Sequence, residues 1–115
     1  MFGIVNIGGR DVEMTANGAS VYRYKQVFRE DFLILASNSD GGIENVELFV
    51  KMGYIMAKQA EKADFAKLNF DTFIEWAGGF EPNALEMAAG DIGNIYAGNS
   101  ETSVDPKAKA DRQSE

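Results

Sequence analysis

The stretch LFVKMGYIMAKQA, Leu48 to Ala60, constrains this chain more than any other, because it lies inside a helical pattern from Ile43 to Lys62 with few polar positions. Leu48, Met52, Ile55 or Met56, and Gln59 or Ala60 recur at steps of three and four, the spacing of one helix face. Val46, Phe49, Val50 and Tyr54 point away from that line, so apolar side chains stand nearly all round. A helix of this kind is either central in its domain or covered by another chain. At 115 residues the chain has room for one domain with a modest core, and both conditions can hold at once. The pattern therefore assigns Leu48, Met52 and Ile55 to the core. It makes Phe49, Val50 and Tyr54, with Tyr22 from the preceding helix, candidates for a partner or self-association surface.

The rest of the chain has to supply what packs around that helix. Ile4 to Ile7 and Val12 to Met14 are short β-prone runs on either side of Gly8-Gly9-Arg10, and two glycines supply the positive φ of a tight hairpin turn. From Asn17, a potential cap, helical spacing places Val21, Tyr24 and Phe28 on one face and Tyr22, Arg23 and Gln26 on the other. Glu30 and Asp31 suit a new helix N-terminus, and Phe32 to Leu35 then read as a short buried helical segment, with a strand as the alternative. Ser37 to Gly42 is a loop, and Asp40 at its end can cap the long helix. Asn69 caps a helix carrying Phe70, Phe73, Ile74 and Trp76 that ends at Gly78-Gly79. A last helix begins at Pro82 or Asn83, with Glu86 at capping-box spacing, and Gly90 and Gly93 weaken its middle by about 1 kcal/mol each unless a neighbour packs closely there. The expected fold is α+β and mainly α: an N-terminal β-hairpin and about four to five helices in a single domain over residues 1–98. Residues 99–115, with Val104 as the one sizeable aliphatic, read as a disordered polar tail.

Composition removes most chemistries. The chain has neither Cys nor His, which excludes disulfides, zinc sites and imidazole or thiol catalysis. Eighteen acidic against 11 basic residues give a net charge of −7, which repels nucleic acid and anionic membrane surfaces. The N-terminus lacks the basic and apolar regions of a signal peptide, and no apolar run reaches the roughly 18 to 20 residues of a membrane span. Carboxylate neighbours such as Glu30 with Asp31 and Glu44 with Glu47 sit at helix starts, where they act as solvated capping charges. No cofactor, metal or catalytic residue is expected. The nearest metal look-alike is Ala36 to Glu47, which places Asn38, Asp40, Gly41, Ile43 and Glu47 as in a calcium loop but has Ala36 where the first carboxylate ligand belongs. Calcium response is thus a secondary reading, as is an acidic protein-binding module. NIGGRD has neither the spacing of a P-loop nor that of a dinucleotide fingerprint.

Three segments in order carry a family resemblance: NIGGRDVEMTANGASVYRYKQVFRED (Asn6 to Asp31), YIMAKQA (Tyr54 to Ala60) and FDTFIEW (Phe70 to Trp76). Together they resemble the tail assembly chaperones of siphophages and prophages of Gram-positive bacteria, over nearly the whole chain up to about Gly98. One departure is Arg29 before Glu30, where many relatives have Gly before the acidic residue, a difference that bears on a helix break. The resemblance implies a non-enzymatic factor of viral tail morphogenesis in the host cytoplasm, absent from the mature virion. It implies binding to the tape measure protein, whose long hydrophobic helices it keeps soluble, and recruitment of tail tube protein. A longer frameshifted product sharing this domain is also implied. Self-association into oligomers fits the same picture, with the unpaired hairpin edge as a candidate head-to-tail contact.

Overall fold

Gly8 and Gly9 both adopt positive φ, 61° and 90°, and close a two-residue turn between antiparallel strands β1 (Phe2–Ile7) and β2 (Arg10–Thr15). This is the backbone that matches the right-handed twist of a hairpin, and it fixes the register, with Val5 opposite Val12 and Gly3 opposite Met14. The turn is tightened by Asn6, whose side-chain oxygen accepts from the Gly9 amide at 3.0 Å. Residues of one pleat face, Val5, Ile7 and Met14, are buried, and those of the other are largely exposed. A computed structural model describes residues 1–38 and 43–98. Along these the hairpin is followed by six α-helices: α1 (Ser20–Phe28), α2 (Phe32–Asn38), α3 (Ile43–Glu61), α4 (Phe70–Ala77), α5 (Ala84–Met87) and α6 (Ala89–Tyr96). The mainly α architecture with a small β part is as the sequence pattern indicates. The expected tail, and Asp40 as a cap for α3, lie outside the described residues.

The long helix α3 is the centre of the domain. Every residue from Val50 to Ala57 is buried, and β2, α6, α1, α2, α5 and α4 all pack on it. Each direction around its axis has a different cover. Tyr54 meets the rings of Phe28, Phe73 and Trp76 at 6.2, 5.5 and 5.3 Å, and Phe49 meets Phe32 and Tyr96 at 5.7 and 6.3 Å. Toward α6 the contact is closer: a Cβ on Gly53 would stand 2.8 Å from Ile92 Cδ1 and 3.2 Å from Ile92 Cγ2. Glycine is thus required for the two helix axes to approach as they do. On α6 itself, a Cβ on Gly93 would stand 3.7 Å from the Phe49 ring, so that ring occupies the space beside the glycine, the neighbour packing that offsets a glycine within a helix.

Local signals explain most helix ends. Asn69 and Thr72 form a reciprocal capping box at α4, with the Thr72 amide donating to Asn69 Oδ1 at 3.0 Å and the Asn69 amide donating to Thr72 Oγ1 at 2.9 Å. The Thr72 hydroxyl proton goes to the Asn69 carbonyl at 2.8 Å, so the buried Tyr54 hydroxyl is the donor in its 2.7 Å bond to Thr72 Oγ1. Asn17 acts just before α1 rather than as its cap. Its side-chain oxygen accepts from the Ala19 amide and from Gln59 Nε2, while Ser20 Oγ donates to Gln59 Oε1, tying the start of α1 to the end of α3. The capping box expected at Asn83 and Glu86 does not form. Asn83 takes a left-handed φ of 71° and makes no side-chain cap, whereas an N-cap needs extended backbone. The expected single last helix is divided at Ala88 into α5 and α6.

Arg29 closes α1 in the left-handed region, with φ 60° and its amide donating to Lys25 O. That is the backbone glycine adopts most cheaply. Arg29→Gly is therefore expected to stabilise the fold by about 0.5 to 1 kcal/mol, the gain in backbone strain less the entropy glycine adds to the unfolded chain. Gly53→Leu is expected to destabilise it by about 1 to 3 kcal/mol through overpacking against Ile92. Urea denaturation of both variants checks the pair.

Candidate functional site

Helix α2 begins where Asp31 accepts hydrogen bonds at both its oxygens of interest: Oδ1 from the Ile34 amide at 3.1 Å and its carbonyl from the Leu35 amide at 3.1 Å. The helix is the one the sequence leads one to expect, but its burial is not. Of the four consecutive apolar residues only Phe32 is buried, while Leu33, Ile34 and Leu35 are 56, 57 and 40% exposed. The reason is angular. Neighbouring residues on a helix are about 100° apart, so a helix packed on one side buries one ridge, here Phe32 and partly Ala36. A run of four apolar residues in so short a helix has to leave some of them facing out.

Between α2 and α3 lies a half-open cleft of about 270 Å³, lined by Tyr24, Glu30, Leu35, Asn38, Glu47, Leu48 and Lys51. Its volume is just below the range of pockets that hold small organic ligands, about 300 to 1,000 Å³, and suits one or two side chains of a partner. At its base Lys51 is only 11% exposed, with Nζ 3.4 Å from Glu30 Oε1 and 3.3 Å from Glu47 Oε2. The ammonium also lies 5.4 Å from the Phe28 ring and 5.8 Å from the Phe70 ring, within cation–π range. Tyr24 donates its hydroxyl to Glu30 Oε1 at 3.1 Å. Burial first, and the Glu30 carboxylate second, push the Tyr24 phenol above its ordinary value near 10. Beyond Lys51, Phe70 and Ile74 stand one turn apart on α4 and are each half exposed. The lysine is therefore flanked by uncovered apolar groups, Leu35 in the cleft wall on one side and Phe70 on the other.

The four surface residues expected from the sequence do not form one face. Tyr22 is strongly exposed and Phe49 is partly buried, but Val50 and Tyr54 are in the interior of this chain. Tyr54 is covered by α1 and α4 and has its hydroxyl satisfied by Thr72, so it offers nothing to a partner. The all-round apolar character of α3 is answered within the domain. Among the described residues the uncovered apolar side chains are, besides Tyr22 and the N-terminal Met1 and Phe2, Leu33, Ile34 and Leu35 on α2, Phe70 and Ile74 on α4, and Met87 at the rim of a separate cleft beside Gly8, Gly9 and Pro82. A tally of apolar residues per helical turn on α2 would have found the first group. Lys51 carried no such signal, since its burial depends on Glu30 arriving from a distant segment.

Among the described residues no group of three or more acidic side chains is placed to hold a metal ion, and Asp40 and Gly41 of the calcium look-alike lie outside them. No described helix is long and apolar enough to cross a membrane. Set against protein-family models, curated proteins and solved structures, the chain matches none.

Two measurements probe the cluster. An unfolded chain ionises Tyr24 near pH 10 while the folded chain keeps the proton, so stability is intact below about pH 10 and falls as pH rises beyond it. The urea midpoint should therefore drop between about pH 9.5 and 11.5, and Tyr24→Phe should flatten that decline. Lys51→Met keeps an apolar stem of similar length, loses the cation–π contact and leaves carboxylates that water reaches, so it should cost about 1 kcal/mol. Lys51→Glu groups three carboxylates at a shielded position and should cost more than about 2 kcal/mol. Equal effects of the two substitutions would show that the charge at this position is immaterial.

Proposed function

We propose that the chain is a phage tail assembly chaperone: a binding protein of tail morphogenesis that holds the tape measure protein soluble and brings tail tube subunits to it. The resemblance of the three ordered segments motivates the reading. The observation that carries it furthest is the exposed apolar set on α2 and α4, standing beside carboxylates on a domain whose central helix is buried throughout Val50 to Ala57. Adaptable apolar contacts backed by acidic charge suit repeated, modest-affinity binding along a long hydrophobic helical partner. The chain acts by binding rather than catalysis, in the host cytoplasm, and is left out of the finished virion. Oligomers form through contacts between copies, with the edges of the hairpin as one route.

Co-expression with the tape measure protein of the same phage is the direct test. The expected outcome is a soluble complex that copurifies through size exclusion. A tape measure protein that stays insoluble, with no complex recovered, would sink the assignment. Mass spectrometry of purified virions should find no peptide of this chain.

A further inference from the structure

The cleft between α2 and α3 has a polarity as well as a shape. Its rim carries Glu47, 67% exposed, and Glu30, 41% exposed, whereas the one cation among them, Lys51, is 11% exposed. Arg29 and Asp31, the two neighbours of Glu30 in the chain, are both exposed and offset one another, so the rim's net charge rests on Glu30 and Glu47. An approaching group therefore meets carboxylate first. The outer wall is apolar: Leu35 lines the cleft, and Ile34, one helical turn from the cleft residue Asn38, continues that wall outward.

No part of this chain is suited to cover that wall. Residues 39–42 read Ser-Asp-Gly-Gly, and residues 99–115 offer Val104 as their one sizeable aliphatic. A second copy is disfavoured by charge, because a two-fold pairing through this face would bring the Glu30 and Glu47 carboxylates of both copies into one interface.

We propose that the α2–α3 cleft takes one apolar side chain of an amphipathic partner helix, and that a lysine or arginine flanking its apolar face pairs with Glu47 and Glu30. Ile34 and Leu35 cover the partner's apolar stripe, and the half-exposed Phe70 and Ile74 extend the contact past Lys51 onto α4. The carboxylates select basic over acidic helices and speed encounter, while the apolar wall holds the complex. The site deepens the reading of the chain as a binding protein for long helices by stating which helices it accepts.

The test uses the full chain, isotope-labelled, titrated with two synthetic helical peptides that share one leucine stripe. One peptide has lysines beside the stripe and the other glutamates. The lysine peptide should shift the amide signals of Leu33, Ile34, Leu35, Glu47 and Lys51, and should bind more weakly as salt is raised. The glutamate peptide should leave them in place. Ile34→Asp, at an exposed position, should weaken the lysine peptide about tenfold, and Glu47→Gln about threefold, with the circular dichroism of both variants unchanged. Equal binding of the two peptides overturns the proposal, as do shifts clustered away from α2 and α3. Concentration-dependent shifts of the same residues without peptide would assign the face to self-association and overturn it too. A tape measure complex that forms but leaves these signals unmoved removes the site and spares the function. Peptide binding at the cleft without any tape measure complex does the reverse.

Discussion

The rest of the domain depends on the burial of the middle of α3, Val50 to Ala57, around its whole circumference. A two-stranded hairpin is marginal in water, and helices as short as α2 and α5 do not hold together alone. Each becomes stable by laying one face on α3 or on an element already resting there. The close approach at Gly53 lets α6 seat Ile92 against the helix axis, and Gly3 in β1 likewise admits Ile95 of the same helix. Strand and last helix are thereby joined to the centre through a single row of residues.

How much of this was legible follows from the range of each interaction. The hairpin turn at Gly8-Gly9, the inward Tyr24 and Phe28 of α1 and the Asn69 cap of α4 are set by residues within a few positions of one another, and the sequence shows them, although not that Thr72 completes the cap as a box. Asn83 shows where such reading stops: residue types and spacing suit a capping box, but the backbone turns left-handed and the box is not made. Burial is less local still. Tyr54 looks surplus on a helical wheel until α1 and α4 arrive to cover it, and Leu33 to Leu35 look like core until α2 turns out to touch the domain on one side only. The candidate cleft shares that character, since Glu30, Glu47 and Lys51 meet only after folding.

The polar cluster at the cleft shows how a charge is kept near the core of so small a domain. The Lys51 ammonium lies within cation–π range of Phe28 and Phe70 and is shared by two carboxylates that water still reaches, one of which also accepts from Tyr24. The arrangement leaves the carboxylates in excess on the outside, which is why the local field at this face is acidic although a cation lies at its base. The aromatic rings beneath carry the contact onward: Phe28 touches both Phe73 and Tyr54, and Tyr54 touches Trp76.

Because Val50 to Ala57 are wholly enclosed, the framework and the exposed apolar surface are written in different segments of the chain. A substitution within α3 disturbs many neighbours at once, whereas the outward positions of α2 and α4 can change size or charge with little effect on what lies below. Sequence drift at a handful of outward codons thus reshapes the surface of the domain, while the scaffold that presents it stays as it is.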